Sequence, residues 1–105
     1  MQRKLGLVIA AAVFFVAATG AASAATIKVS VQGFKFSPAT VTAHVGDTIE
    51  WTNNDPMAHT STAKSGDWDL PLPAGKSASL TLQKKGAFDY YCKIHPSMTG
   101  KITVE

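Results

Sequence analysis

Short runs in which apolar and polar residues alternate with a period of two recur from Ile27 to Val104, and no stretch between them carries a helical period. Ile27, Val29 and Val31 alternate with Lys28, Ser30 and Gln32. Val41 and Ala43 alternate with Thr40, Thr42 and His44, and Ile49 and Trp51 with Thr48, Glu50 and Thr52. Leu80 and Leu82 alternate with Ser79, Thr81 and Gln83, and Phe88, Tyr90 and Cys92 with Ala87, Asp89 and Tyr91; Ile102 and Val104 close the chain. This period puts the apolar side chains of a strand on one face, which must then be covered by another sheet. Turn residues separate the runs at Gly33, Ser37-Pro38, Gly46-Asp47, Asn53-Asn54-Asp55-Pro56, residues 71–75 and Gly86. Many short strands with frequent turns predict an all-β sandwich or barrel. Residues 61–73, with Gly66, two Asp and two Pro, break the pattern and read as a long connection between the sheets.

The N-terminal segment is of another kind. Gln2-Arg3-Lys4 is positive, residues 5–18 are apolar except for Gly6, and Ala22-Ser23-Ala24 meets the small-x-small rule for cleavage before Ala25. The apolar run is shorter than the roughly 20 residues that cross a hydrocarbon core. Residues 1–24 therefore read as a cleaved secretion signal and residues 25–105 as one small domain, periplasmic and free of the membrane once cut. The full chain has 10 Lys+Arg against 7 Asp+Glu, but Arg3 and Lys4 leave with the signal. A near-neutral remainder lacks the basic face of a nucleic-acid binder. The single cysteine, Cys92, excludes an internal disulfide framework. In an exported chain such a thiol must be buried, paired with another chain, or bound to something.

Cys92, His95 and Met98 follow one another at intervals of three, the first ending a strand and the others on the loop beyond it. His59 follows the turn-rich residues 53–56. A thiolate, a thioether and two imidazoles are the donor set of a blue-copper site. The soft sulfurs favour Cu(I), the imidazoles also suit Cu(II), and a geometry acceptable to both keeps reorganisation small when an electron moves. Zinc also accepts a His2Cys set, although methionine is a poor fourth ligand for it. A Cys–His nucleophile would need an orienting group, and the sequence marks none.

Further motifs carry a resemblance. They are Val45-Gly46-Asp47-Thr48-Ile49-Glu50-Trp51-Thr52-Asn53, His59-Thr60, Pro73-Ala74-Gly75-Lys76-Ser77, and Gly86-Ala87-Phe88-Asp89-Tyr90-Tyr91-Cys92 with the loop to Met98. With them the chain resembles the small cupredoxins, and the Cys-x2-His-x2-Met spacing is similar to the amicyanin-like members. The resemblance implies a Greek-key β-sandwich holding one type 1 copper ion through His59, Cys92, His95 and Met98. It implies a monomeric one-electron shuttle rather than an enzyme. Its redox partners, of dehydrogenase or cytochrome type, would dock near His95 on an apolar patch that Pro56, Met57, Pro96 and Met98 can supply. The other reading is a periplasmic copper carrier or storage protein, for which Met57 and Met98 would handle Cu(I).

Two residues depart from the family pattern. Thr60 stands where an Asn usually ties the ligand loops together, and its hydroxyl is expected to substitute. Ile94 stands where Pro is frequent, so its backbone N–H becomes available near the Cys92 sulfur. Trp51 and Phe88 fall on inward phases, and His44 and Tyr91 on outward ones. Trp68, between Asp67 and Asp69, has no assigned role.

Overall fold

The computed structural model describes residues 23–105. The secretion signal read over residues 1–24 lies outside the described residues except for Ser23 and Ala24, which are exposed and form no regular structure. Nine strands follow: β1 (Thr26–Val31), β2 (Phe36–Ser37), β3 (Thr40–Ala43), β4 (Thr48–Asn53), β5 (His59–Ala63), β6 (Asp69–Leu72), β7 (Ser77–Thr81), β8 (Gly86–Tyr91) and β9 (Thr99–Val104). They form a four-stranded sheet in the order β2-β1-β4-β7 and a five-stranded sheet in the order β3-β9-β8-β5-β6. The chain passes repeatedly between the two, so that β1 lies parallel to β4 and β3 parallel to β9. This is the all-β sandwich the alternation requires.

The inward phases are those read from the sequence. Val29, Val31, Val41, Ala43, Ile49, Trp51, Phe88, Tyr90, Ile102 and Val104 are all buried between the sheets. Burying an aliphatic or aromatic side chain of this size stabilises by about 1.5–3 kcal/mol, which makes this layer the main source of stability. Its centre is aromatic. Trp51 donates its indole N–H to the Tyr90 hydroxyl over 3.3 Å, and Phe36 packs edge-on to Tyr90 at 4.7 Å. Trp68 joins this cluster, 7% exposed, with its N–H on the Ser61 hydroxyl at 3.0 Å.

Residues 61–73 are not one long connection. They hold the rest of β5, a turn, and β6, which pairs antiparallel with β5 from His59↔Leu72 to Thr62↔Asp69. Every residue of β5 is buried, although its sequence is His-Thr-Ser-Thr-Ala. Hydrogen bonds from Trp68 and to Asp69 satisfy its hydroxyls, so burial without apolar side chains is tolerated. Pro71 fits in β6 because that strand is a sheet edge.

Candidate metal centre

One end of the sandwich gathers the donors. β5 begins at His59, β8 ends at Tyr91, and β9 begins at Thr99, so the whole Cys92–Met98 segment is the loop of one hairpin. The Tyr91↔Thr99 pair sits at its base. The loop closes tightly, with the Cys92 N–H donating to the Met98 carbonyl at 3.1 Å and the Met98 N–H to the His95 carbonyl at 2.9 Å. Cys92 is 0% exposed, His59 1% and Met98 2%, and His95 is half-buried. The His59 Nδ1 lies 3.7 Å from the Cys92 sulfur, and the two imidazole rings meet edge-on at 5.3 Å. The structure thus brings all four sequence-predicted residues to one end of the fold. Among the described residues, no three His, Cys, Asp or Glu side chains close into a ready-made metal cage.

The Cys92 sulfur accepts two backbone N–H groups, from Thr60 and from His95, each at 3.4 Å. The second donor is therefore the His95 N–H, and not the Ile94 N–H that the sequence suggested. Such bonds to a ligating sulfur tune a metal's potential. Thr60 ties two segments together through its side chain. Its hydroxyl accepts the Lys93 N–H at 2.9 Å and bonds the Thr62 hydroxyl at 2.9 Å, tying β5 to the ligand loop. Thr60→Val keeps the shape but leaves the Lys93 N–H without that acceptor. We expect a loss of about 1–3 kcal/mol in a urea titration, and near-complete recovery in Thr60→Ser.

Asp55, which the sequence offered only as a turn residue, is a central part of this end. Its carboxylate is buried at 7% exposure. It accepts the Gly33 N–H at 2.8 Å and the Phe34 N–H at 3.1 Å, and it meets His59 Nε2 at 2.8 Å. Burial pushes the Asp55 carboxyl up, but the two N–H groups and the imidazole outweigh it and hold the pKa below the ordinary carboxylate value. Asp55 is therefore ionised at neutral pH. It engages one nitrogen of His59 and leaves Nδ1 turned to the sulfur. Asn53, fully buried, fixes the same loop by donating to the Met57 and Leu72 carbonyls, both at 2.8 Å, while its own side-chain oxygen accepts the Asp55 N–H.

Of the four residues expected to form an apolar surface near His95, Pro56, Met57 and Pro96 are exposed and one is not. Met98 is inside, and the exposed large residues here are Phe34, Met57 and Ile94. Phe34 stacks on His95 with ring centroids 4.7 Å apart and planes 23° off parallel. His44 is exposed, as its outward phase predicted.

The donors suit a soft, redox-active metal ion. The thiol is buried and free, and its two N–H donors fit a sulfur carrying negative charge. Among the described residues, the buried Nε2 of His95 has no hydrogen-bond partner, a costly arrangement unless something else engages the ring. The thioether of Met98 completes a set that zinc and hard cations do not favour.

Two stacked sheets with a His-His-Cys-Met group gathered at one end define a small sandwich protein with a candidate metal site. The chain belongs to the cupredoxin-like domain family, whose model matches residues 5–104. It is 32% identical over 90 residues to amicyanin-alpha of Methylorubrum extorquens, covering 80% of this chain and 76% of that one. The structure of a reduced amicyanin variant matches with a TM-score of 0.67 at 33% identity, over 85% of this chain and 89% of that one. A copper-containing nitrite reductase from Thermus scotoductus matches with a TM-score of 0.70 at 26% identity, over 84% of this chain but only 24% of the enzyme.

Proposed function

We propose that this protein is a one-electron carrier that binds a single type 1 copper ion through His59, Cys92, His95 and Met98. The observation that carries the reading is the buried Cys92 sulfur, 3.7 Å from His59 Nδ1 and accepting two backbone N–H bonds, in a chain of this family. When bound, copper supplies the change of oxidation state between Cu(II) and Cu(I). The chain's own residues do the rest. Asp55 and the tight Cys92–Met98 loop hold the donors in place, which keeps reorganisation small. Burial of His59, Cys92 and Met98 shields the centre from water. The apolar rim of Phe34, Met57 and Ile94 around His95 suits brief docking of a redox partner protein of dehydrogenase or cytochrome type. The amicyanin relatives are matched over most of their length, whereas the match to the nitrite reductase spans only 24% of that enzyme, which favours electron transfer over substrate turnover. The signal-like residues 1–24 support a periplasmic setting for the monomeric domain 25–105.

The test is the visible spectrum of the domain loaded with Cu(II), before and after ascorbate. We expect an intense blue band that bleaches on reduction and returns on oxidation. A pale complex, or one that sheds copper when reduced, would instead favour a copper carrier.

A further inference from the structure

We infer that Asp55 and Phe34 form one positioning unit that holds both histidines of the centre, a role that rests on the copper reading above. The unit begins in the connection between β1 and β2. Gln32 and Lys35 exchange backbone hydrogen bonds of 3.1 and 3.2 Å, which makes Gly33-Phe34 a two-residue hairpin turn. Gly33 has φ 62° and Phe34 φ 61°. A tight hairpin turn of this kind needs left-handed backbone at both central positions. Glycine adopts it freely, and a bulky aromatic residue is a rare outlier there.

Strain of this sort persists where the surroundings over-determine it. Here they do so through the two N–H groups of the turn, which both end on the Asp55 carboxylate. The strained residue adds little to the core, because Phe34 is 45% exposed. What its ring touches is the candidate centre: it lies flat on His95 at 4.7 Å and edge-on to His59 at 5.4 Å. The same carboxylate that holds the turn also holds His59 through Nε2.

One buried carboxyl group therefore acts at both histidines. At His59 it takes the hydrogen bond of Nε2, which fixes the ring proton there and leaves Nδ1 turned to the sulfur, as carboxylate–histidine–metal arrangements do. At His95 it acts indirectly, by pinning Phe34 over the face of the ring and restricting its rotation. A plain surface cover would not need a left-handed Phe anchored on the partner of a metal ligand.

Three readouts test this. In the metal-free protein, 15N NMR should show His59 protonated at Nε2, and Asp55→Asn should lose that preference. In the copper-loaded protein, Asp55→Asn should raise the reduction potential and weaken copper binding roughly 10–100-fold. Phe34→Gly should release copper to a chelator roughly 10-fold faster and shift the visible band, while its metal-free unfolding midpoint stays at or above that of the parent because the turn is relieved. Phe34→Tyr, which keeps the ring, should restore the parent's release rate. Parent-like potential, band and release in both Asp55→Asn and Phe34→Gly would overturn the inference even if stability fell, and would leave the copper reading intact. A parent protein with no blue band would remove both.

Discussion

Replacing Cys92 by serine is expected to abolish the intense visible band of the copper-loaded protein while the metal-free sandwich still folds. The two outcomes separate because the residue does two unequal jobs. As a packing element Cys92 is small, 0% exposed, and met by the Thr60 and His95 N–H groups at 3.4 Å. A serine hydroxyl occupies the same place on a shorter C–O bond and weakens both contacts, so the cost should be about 1–3 kcal/mol. As a metal donor the change is far larger. A neutral hydroxyl replaces the one soft anionic ligand, and the sulfur-to-copper charge transfer that gives the colour has no source. His59, His95 and Met98 alone should hold copper more weakly by well over the roughly 10–100-fold that loss of a supporting partner costs. The check is paired: a Cu(II) titration followed in the visible, and a urea titration of the metal-free form. An intense band surviving in Cys92→Ser would mean that the colour does not arise from a bond between Cys92 and copper.

The spacing of three between Cys92, His95 and Met98 was legible because all three belong to a single hairpin loop, where distance in sequence approximates distance in space. The inward phases of β1, β3, β4, β8 and β9 were legible for a related reason, since alternation is a local property of a strand that is wet on one side. The missed features are those that only tertiary placement creates. Asp55 meets Phe34 across 21 residues, and nothing in Asn53-Asn54-Asp55-Pro56 signals more than a turn. β5 was hidden because hydroxyls satisfied by Trp68 and Asp69 stand where apolar residues would have marked a strand. Trp68, flanked by two aspartates, could not be placed until β6 was known to fold back on β5. Ile94 was aimed at the right atom but lost to its neighbour, because the turn that closes on Met98 presents the His95 N–H to the sulfur.

Gly100→Ala is expected to be the most damaging one-carbon change in the β8–β9 hairpin. Gly100 pairs with Tyr90 across the two strands, and the Tyr90 ring lies over the space where a side chain would begin. A Cβ at Gly100 would sit 2.6 Å from Cε1 and Oη of Tyr90 and closer still to Cζ. The ring has no room to retreat, being 0% exposed, bonded to Trp51 and packed against Phe36 and Trp68. Burial pushes its hydroxyl pKa up to about 12, against the pull of the Trp51 N–H, so the hydroxyl stays neutral at working pH and no ionisation relieves the crowding. Overpacking a rigid core costs about 1–3 kcal/mol and occasionally more. With a large ring and a backbone-attached carbon, a loss of about 3 kcal/mol is reasonable, or roughly 10–25 °C in melting temperature for a domain of this size. If the ring is the cause, Tyr90→Leu with Gly100→Ala should lose less than the two single changes added together; strict additivity would place the damage in the backbone of β9 instead. The same clash reaches the candidate centre, because Tyr90 stands two residues before Cys92 and Tyr91↔Thr99 is the last pair before the loop. The fraction of Gly100→Ala that still folds should therefore bind copper with a shifted visible band.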